Sequence, residues 1–156
     1  MTSIRKATIV DLQTIQELNN KLCTKENAEF DPTVNPKFAT SDGGLSYFKK
    51  ALESDEKLVL IAEDNNTAIG YIVGGIEQVG DFRNIPNMCE ADNMWIDEKY
   101  RSQGIGKQFM SELETWAKSK GIKRMRVVAS YKNEKGIRFY KRGGFSEYDL
   151  ILEKDL

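Results

Sequence analysis

Apolar residues recur along this chain with two alternating periods. Leu12, Ile15, Leu18 and Leu22 fall three or four apart, the spacing that places side chains on one face of a helix. Thr8 and Asp11 precede that run at capping-box spacing, so a first helix is expected after a short strand over residues 3–7. From residue 24 to residue 44 the periodicity disappears. Asp31-Pro32, Asn35-Pro36 and Asp42-Gly43-Gly44 punctuate a long irregular connection, of the kind that is usually functional or mobile in compact domains. Leu45, Phe48 and Leu52 predict a short second helix. Residues 57–62 and 68–79 read as strands joined by a turn at Asp64-Asn65-Asn66. They should form a hairpin, bent in its second strand at Gly70, Gly74 and Gly75.

A turn region over residues 80–87 leads to a strand near 89–96. After a glycine-containing turn, Ile105, Phe109, Leu113, Trp116 and Ala117 line one face of a helix that stops near Gly121. Residues 124–129 form the next expected strand, with Val127-Val128 at its centre. Asn133 can cap a helix bearing Ile137, Phe139 and Tyr140, which ends at Gly143-Gly144, and residues 147–153 supply a last strand. Strands and helices alternate without repeats or linkers, which predicts a single mixed α/β domain over residues 1–156. A chain of this size buries about 68–70% of its unfolded surface, enough for one proper core.

Composition changes this picture mainly by exclusion. The chain contains no histidine, which removes Ser-His-Asp and Cys-His nucleophile chemistry and the commonest metal ligand. Any acid or base must be Glu, Asp, Tyr, Lys or water. Cys23 and Cys89 lack the paired spacing of a zinc site or a disulfide framework, so they read as small buried hydrophobes and no metal is expected. No apolar run approaches the ~20 residues of a membrane span, and no apolar stretch follows Arg5-Lys6, so a cytoplasmic protein without membrane attachment is expected. Residues 1–90 hold 9 Lys and Arg against 14 Asp and Glu, whereas residues 91–156 hold 14 against 10. The positive residues are interspersed with acids, which argues against nucleic acid and for a small anionic ligand on the C-terminal half.

The segment Arg101-Ser102-Gln103-Gly104-Ile105-Gly106-Lys107 lies directly between a predicted strand and a predicted helix. The first N–H groups of a helix are unpaired and point outward, so such a place attracts anions. Gly104 and Gly106 leave no side chain between backbone and phosphate, and Arg101 and Lys107 add positive charge. The run lacks the third glycine of a dinucleotide fingerprint and the spacing of a nucleotide-triphosphatase loop.

The same run resembles the Q/R-x-x-G-x-G/A signature of the GNAT superfamily of N-acetyltransferases. Glu90-Ala91-Asp92-Asn93-Met94-Trp95-Ile96 resembles the family's central strand. Asn133 with Phe139-Tyr140-Lys141-Arg142-Gly143-Gly144-Phe145 resembles its C-terminal motif, and Ile4-Arg5-Lys6-Ala7-Thr8 with Asp11 its opening. Two departures stand out: Gly136 where the family often has Ala, which could loosen the last helix, and Asp97-Glu98 in place of x-Pro.

The resemblance implies a twisted, mostly antiparallel sheet of six or seven strands flanked by four helices, with a splayed parallel pair at the cofactor cleft. It implies acetyl-coenzyme A as co-substrate, with its pyrophosphate on the segment Arg101, Ser102, Gln103, Gly104, Ile105, Gly106 and Lys107. The backbone of Met94, Trp95 and Ile96 would pair with pantetheine, and Asn133 would hydrogen-bond the cofactor. Tyr140 takes the place of the residue that protonates the departing thiolate. Glu90 matches the glutamate base of one branch of the superfamily, with Asp92 as second choice because a bulge could change which side chain faces the cleft. The acceptor implied is the primary amine of a small molecule or peptide, cationic in view of the acidic N-terminal part, with a homodimer left open. A non-catalytic acyl-coenzyme A sensor is the alternative that keeps the cradle without the chemistry.

Overall fold

The computed structural model describes residues 1–156 as one five-stranded sheet with helices on both faces. The strands are β1 (Thr2–Lys6), β2 (Lys57–Asp64), β3 (Thr67–Gln78), β4 (Asn87–Ile96) and β5 (Met125–Val127), and they lie side by side in sequence order. The helices are α1 (Leu12–Glu29), α2 (Asp42–Glu53), α3 (Ile105–Ser119) and α4 (Glu134–Arg142). β1 to β4 pair antiparallel; β4 and β5 pair parallel.

Alternation along the strands divides the core in two. Leu58, Leu60 and Ala62 of β2 face α3, where they pack with Ile72, Cys89, Ala91, Phe109 and Leu113. Val59 and Ile61 face α1 and α2, with Ile15, Leu18, Phe48, Tyr71 and Trp95. A strand buried on both faces reads as a continuous apolar run, as residues 58–62 do.

The first helix is tied to the sheet through Asp11. Its carboxylate accepts from the Thr8 backbone N–H at 2.8 Å and from both terminal nitrogens of Arg5 at 2.9 and 2.7 Å. Arg5 reaches on to Glu63 of β2 at 2.7 Å. This Arg5 fork holds the nearly buried Asp11 carboxyl down at about 2, although burial opposes it.

Three sequence expectations change. The helical face of α1 continues to Glu29, so the irregular connection shrinks to residues 30–41, which include a 3-10 turn at Phe38–Thr40. Residues 147–153 form no strand, which leaves five strands rather than six or seven. The tail instead engages through side chains: Tyr148 lies under the guanidinium of Arg83 at 4.3 Å and near that of Arg124 at 5.6 Å. Gly136 does not prevent α4, because its N–H is held by the Asn133 cap at 3.0 Å. No helix is long and apolar enough to cross a membrane.

Asp11→Asn should lower stability by about 1.5–3 kcal/mol at pH 7, the value of a hydrogen bond to a charged group. The depressed folded-state affinity for protons means this contribution is present above the ordinary carboxylate range and is lost as pH falls toward 2. Urea unfolding of both proteins at pH 7 and pH 3 should therefore show the gap between them closing.

Candidate active site

The site begins where β4 and β5 part. Their ladder comprises only Cys89 with Met125, Glu90 with Arg126 and Ala91 with Val127, after which β4 continues to Ile96 against β3 alone. At the parting point β4 carries a bulge: Asn93 pairs with Val73 and Ala91 with Gly74, so Asp92 is the extra residue. The bulge turns two successive side chains to the α2 face. Tyr47 Oη donates to Asp92 Oδ2 at 2.7 Å and accepts from Asn93 Nδ2 at 2.9 Å.

Backbone direction beyond the bulge follows from one bond. The Asp97 N–H donates to Ile69 O on the β3 side at 2.8 Å. Alternation then turns the Trp95 backbone toward β3 as well, while the N–H groups of Met94 and Ile96 face the open gap. Of the three residues expected to pair with pantetheine, Met94 and Ile96 present free amides and Trp95 does not. The Trp95 side chain is buried on the α1 face, where its indole N–H donates to Asp97 at 2.8 Å.

The glycine turn follows directly. Ser102 and Gly104 both adopt left-handed backbone, with φ of +61° and +89°. The N–H groups from Ser102 to Lys107 donate to no protein acceptor, and the first bond of the helix is Gln108 N–H to Gly104 O at 3.0 Å. This is an unfilled set of amides at the positive end of a fifteen-residue helix, the arrangement that suits a phosphate. The two glycines serve different ends. A Cβ built on Gly104 meets nothing within 4 Å and would fill the open cradle. One built on Gly106 would meet the Phe139 ring at 3.2 Å and Ile96 at 3.3 Å. Gly106 thus lets α4 close on α3, while Gly104 makes the turn.

Arg101 works locally: its Nε donates to Ile96 O at 2.8 Å and its guanidinium lies 4.8 Å from the Trp95 ring. Gln103 donates to Lys99 O at 2.9 Å. Ile105 is core, and Lys107 is exposed with no ion-pair partner. Asn133 spends its carbonyl on the helix cap and keeps its Nδ2 free.

Tyr140 sits one residue after the Phe139 that touches Gly106. Its ring packs edge-on against Phe139 at 5.1 Å and Phe145 at 5.9 Å. Its hydroxyl makes no hydrogen bond within the protein, and burial, with the charge of Glu26 adding to it, pushes the phenol up to about 12. The group therefore keeps its proton at neutral pH and has a free donor.

Glu90 stands at the base of the split, where Arg126 of β5 clasps its carboxylate through Nε at 2.6 Å and through a second nitrogen. Asp92 is bound by Tyr47 and by Lys57 at 3.0 Å. Burial pushes the Cys89 thiol up to about 11 and the Cys23 thiol upward as well, so neither is a ready thiolate.

A model of the acetyltransferase (GNAT) family matches residues 19–145. The chain belongs to that family. A spermidine N(1)-acetyltransferase of Thermoplasma acidophilum is 26% identical over 164 residues, covering 97% of this chain and 95% of its own length. An uncharacterized N-acetyltransferase of Methanocaldococcus jannaschii is 25% identical over 105 residues, 67% of this chain, and the matched part spans only 46% of that protein. The solved structure of the aminoglycoside N-acetyltransferase AAC(6')-Iy with the bisubstrate analog CoA-S-monomethyl-acetylneamine has a TM-score of 0.77. It is 20% identical, covering 100% of this chain and 98% of that one.

Two positions that engage the candidate carboxylates of β4 were not legible from the sequence: Arg126 binds Glu90 and Tyr47 binds Asp92.

Gly104→Val should abolish coenzyme A binding in a folded protein, because a branched side chain would enter the cradle and oppose the left-handed turn. Gly106→Val should instead lower the melting temperature by crowding Phe139. Calorimetric titration with coenzyme A and thermal melting separate the two variants.

Proposed function

We propose that the protein transfers the acetyl group of acetyl-coenzyme A to the primary amine of a small molecule or peptide by direct attack. The observation that carries this reading is the Tyr140 hydroxyl, protonated and without a protein partner, on the helix that Gly106 seats against the free amides of the α3 N-terminus.

On this reading, the amides of residues 102–107 hold the pyrophosphate, with Lys107 adding charge. The free N–H groups of Met94 and Ile96 bind the pantetheine arm as an added strand, and Asn133 Nδ2 donates to the cofactor. The bound thioester supplies the activated acetyl carbon. The Met94 N–H faces the gap in which the carbonyl oxygen gains charge, and one such donor is typically worth ~2.7–4 kcal/mol in the transition state. Tyr140 protonates the departing sulfur. A sensor that only bound the thioester would have no use for that free hydroxyl.

Each carboxylate of β4 is held at one oxygen and keeps the other for the amine's proton. Arg126 binds Glu90, the candidate from the sequence, at Oε2 and leaves Oε1 without a partner; Tyr47 and Lys57 bind Asp92, the second choice, at Oδ2 and leave Oδ1. The amine class is supported by the spermidine acetyltransferase of similar length and by the acidic first ninety residues.

The experiment is release of free thiol from acetyl-coenzyme A in the presence of an amine panel. Tyr140→Phe should lower kcat by ~10²-fold or more with coenzyme A affinity unchanged, because only protonation of the thiolate is lost. A variant as fast as the parent would return Tyr140 to a packing role.

A further inference from the structure

Lys57 crosses a strand to reach the point where β4 and β5 part. It opens β2 and pairs with Gly75 of β3, which in turn pairs with Glu90 of β4 and so lies in one row with Arg126 of β5. Gly75 has no side chain in that row, and the Lys57 stem lies where one would be. A Cβ there would overlap Lys57 Cδ and come within 2.8 Å of Lys57 Cε and of Glu56 O. The ammonium thereby passes over β3 and donates to Glu77 Oε1 at 2.7 Å and to Asp92 Oδ2 at 3.0 Å. The Lys57 side chain is 19% exposed and that of Asp92 13%, so this is no solvated surface pair.

The cluster carries a surplus of negative charge and of acceptors. One ammonium serves two carboxylates, and the remaining members, Tyr47 and Asn93, are neutral. Burial, with Asp92 adding to it, pushes the Tyr47 phenol up, so the hydroxyl keeps its proton and spends it on Asp92 Oδ2. Two oxygens are left without a donor. Asn93 Oδ1 is buried, and only it and Asn20 Oδ1 are buried side-chain atoms lacking a partner; the unpaired Asp92 Oδ1 is therefore open to solvent. Unpaired acceptors and a half-buried net charge are costly, and a cation from outside would satisfy both.

The place of the cluster fits such a visitor. Asp92 is the bulge residue, the first of β4 beyond its last pair with β5, and it precedes by two residues the Met94 whose N–H faces the gap. Its carboxylate meets Tyr47 on the face that α1 and α2 cover, whereas α3 packs on the other face.

Resting on the transferase reading, we infer that Lys57 is a positioning residue of the acceptor site, holding Asp92 at Oδ2 so that Oδ1 receives an ammonium group of an aliphatic amine arriving on the α2 face. Acceptor and cofactor then approach the gap from opposite faces of the sheet. Lys57 touches neither; its effect runs through Asp92.

The test is thiol release from acetyl-coenzyme A at varied spermidine with the parent, Lys57→Met, Asp92→Asn and the double variant, each checked for unchanged melting and coenzyme A affinity. Either single variant should raise KM for spermidine by about tenfold or more, the value of one hydrogen bond between charged groups, and change kcat less than KM. The double variant should be no worse than Asp92→Asn, since a residue that acts through another adds nothing once that other is gone. Gly75→Ala keeps Lys57 but displaces its stem, and is the second route to the same loss should Lys57→Met fail to fold. A folded Lys57→Met with the parent's KM, or a double variant whose loss is the product of the two single losses, overturns the inference and leaves the transferase reading intact. So does a parent that releases thiol with other amines but not with spermidine. Coenzyme A binding with no thiol release from the parent and any amine would overturn the transferase reading, and this inference with it.

Discussion

Everything at the candidate site depends on a sheet that stops being a sheet. β4 and β5 share three residue pairs and then separate, while β4 keeps its full ladder to β3 on the other edge. Backbone N–H and C=O groups must be satisfied, so a central strand with one bare edge is a binding surface waiting for another extended chain. The bulge at Asp92 sits at the separation and sets which amides face the gap. It also gathers Asp92 and Asn93 onto one hydroxyl, that of Tyr47.

The second constraint is the contact between Gly106 and Phe139. The glycine lets an aromatic ring press on the first turn of α3, and that contact fixes α4, whose next residue is Tyr140. The free amides at the start of α3 and the Tyr140 hydroxyl are thereby positioned by one packing event. α4 has no fully buried residue, so this contact and the Phe139, Tyr140 and Phe145 ring cluster are its main anchors. Arg101 plays the matching part on the strand side, bonding Ile96 O and stacking on Trp95.

Charge is arranged with equal economy. The sequence shows an acidic first part and a basic remainder, but the folded chain pairs most of the acids that face the cleft with Lys or Arg. What the net charges of the two parts suggest as a diffuse field is thereby reduced to local ion pairs, with the free amides at the start of α3 left unpaired.

Periodicity and turn chemistry made all five strands and all four helices legible, because those signals are local: side-chain spacing, caps and glycines act over a few residues. The cradle was legible for the same reason, since a strand, a G-x-G turn and a helix are contiguous in the chain. Residues 147–153 looked like a strand by the same local signal and formed none, because a strand exists only if a partner edge is within reach, and the tail settled on Arg83 and Arg124 instead. The sequence by itself determined which residues could bend, cap, bury and ionise. Only the tertiary structure decided that Glu90 meets Arg126, that Gly106 serves Phe139, and that Lys57 reaches Asp92 across Gly75, because the occupancy of a carboxylate depends on neighbours from other strands and helices that no spacing along the chain records.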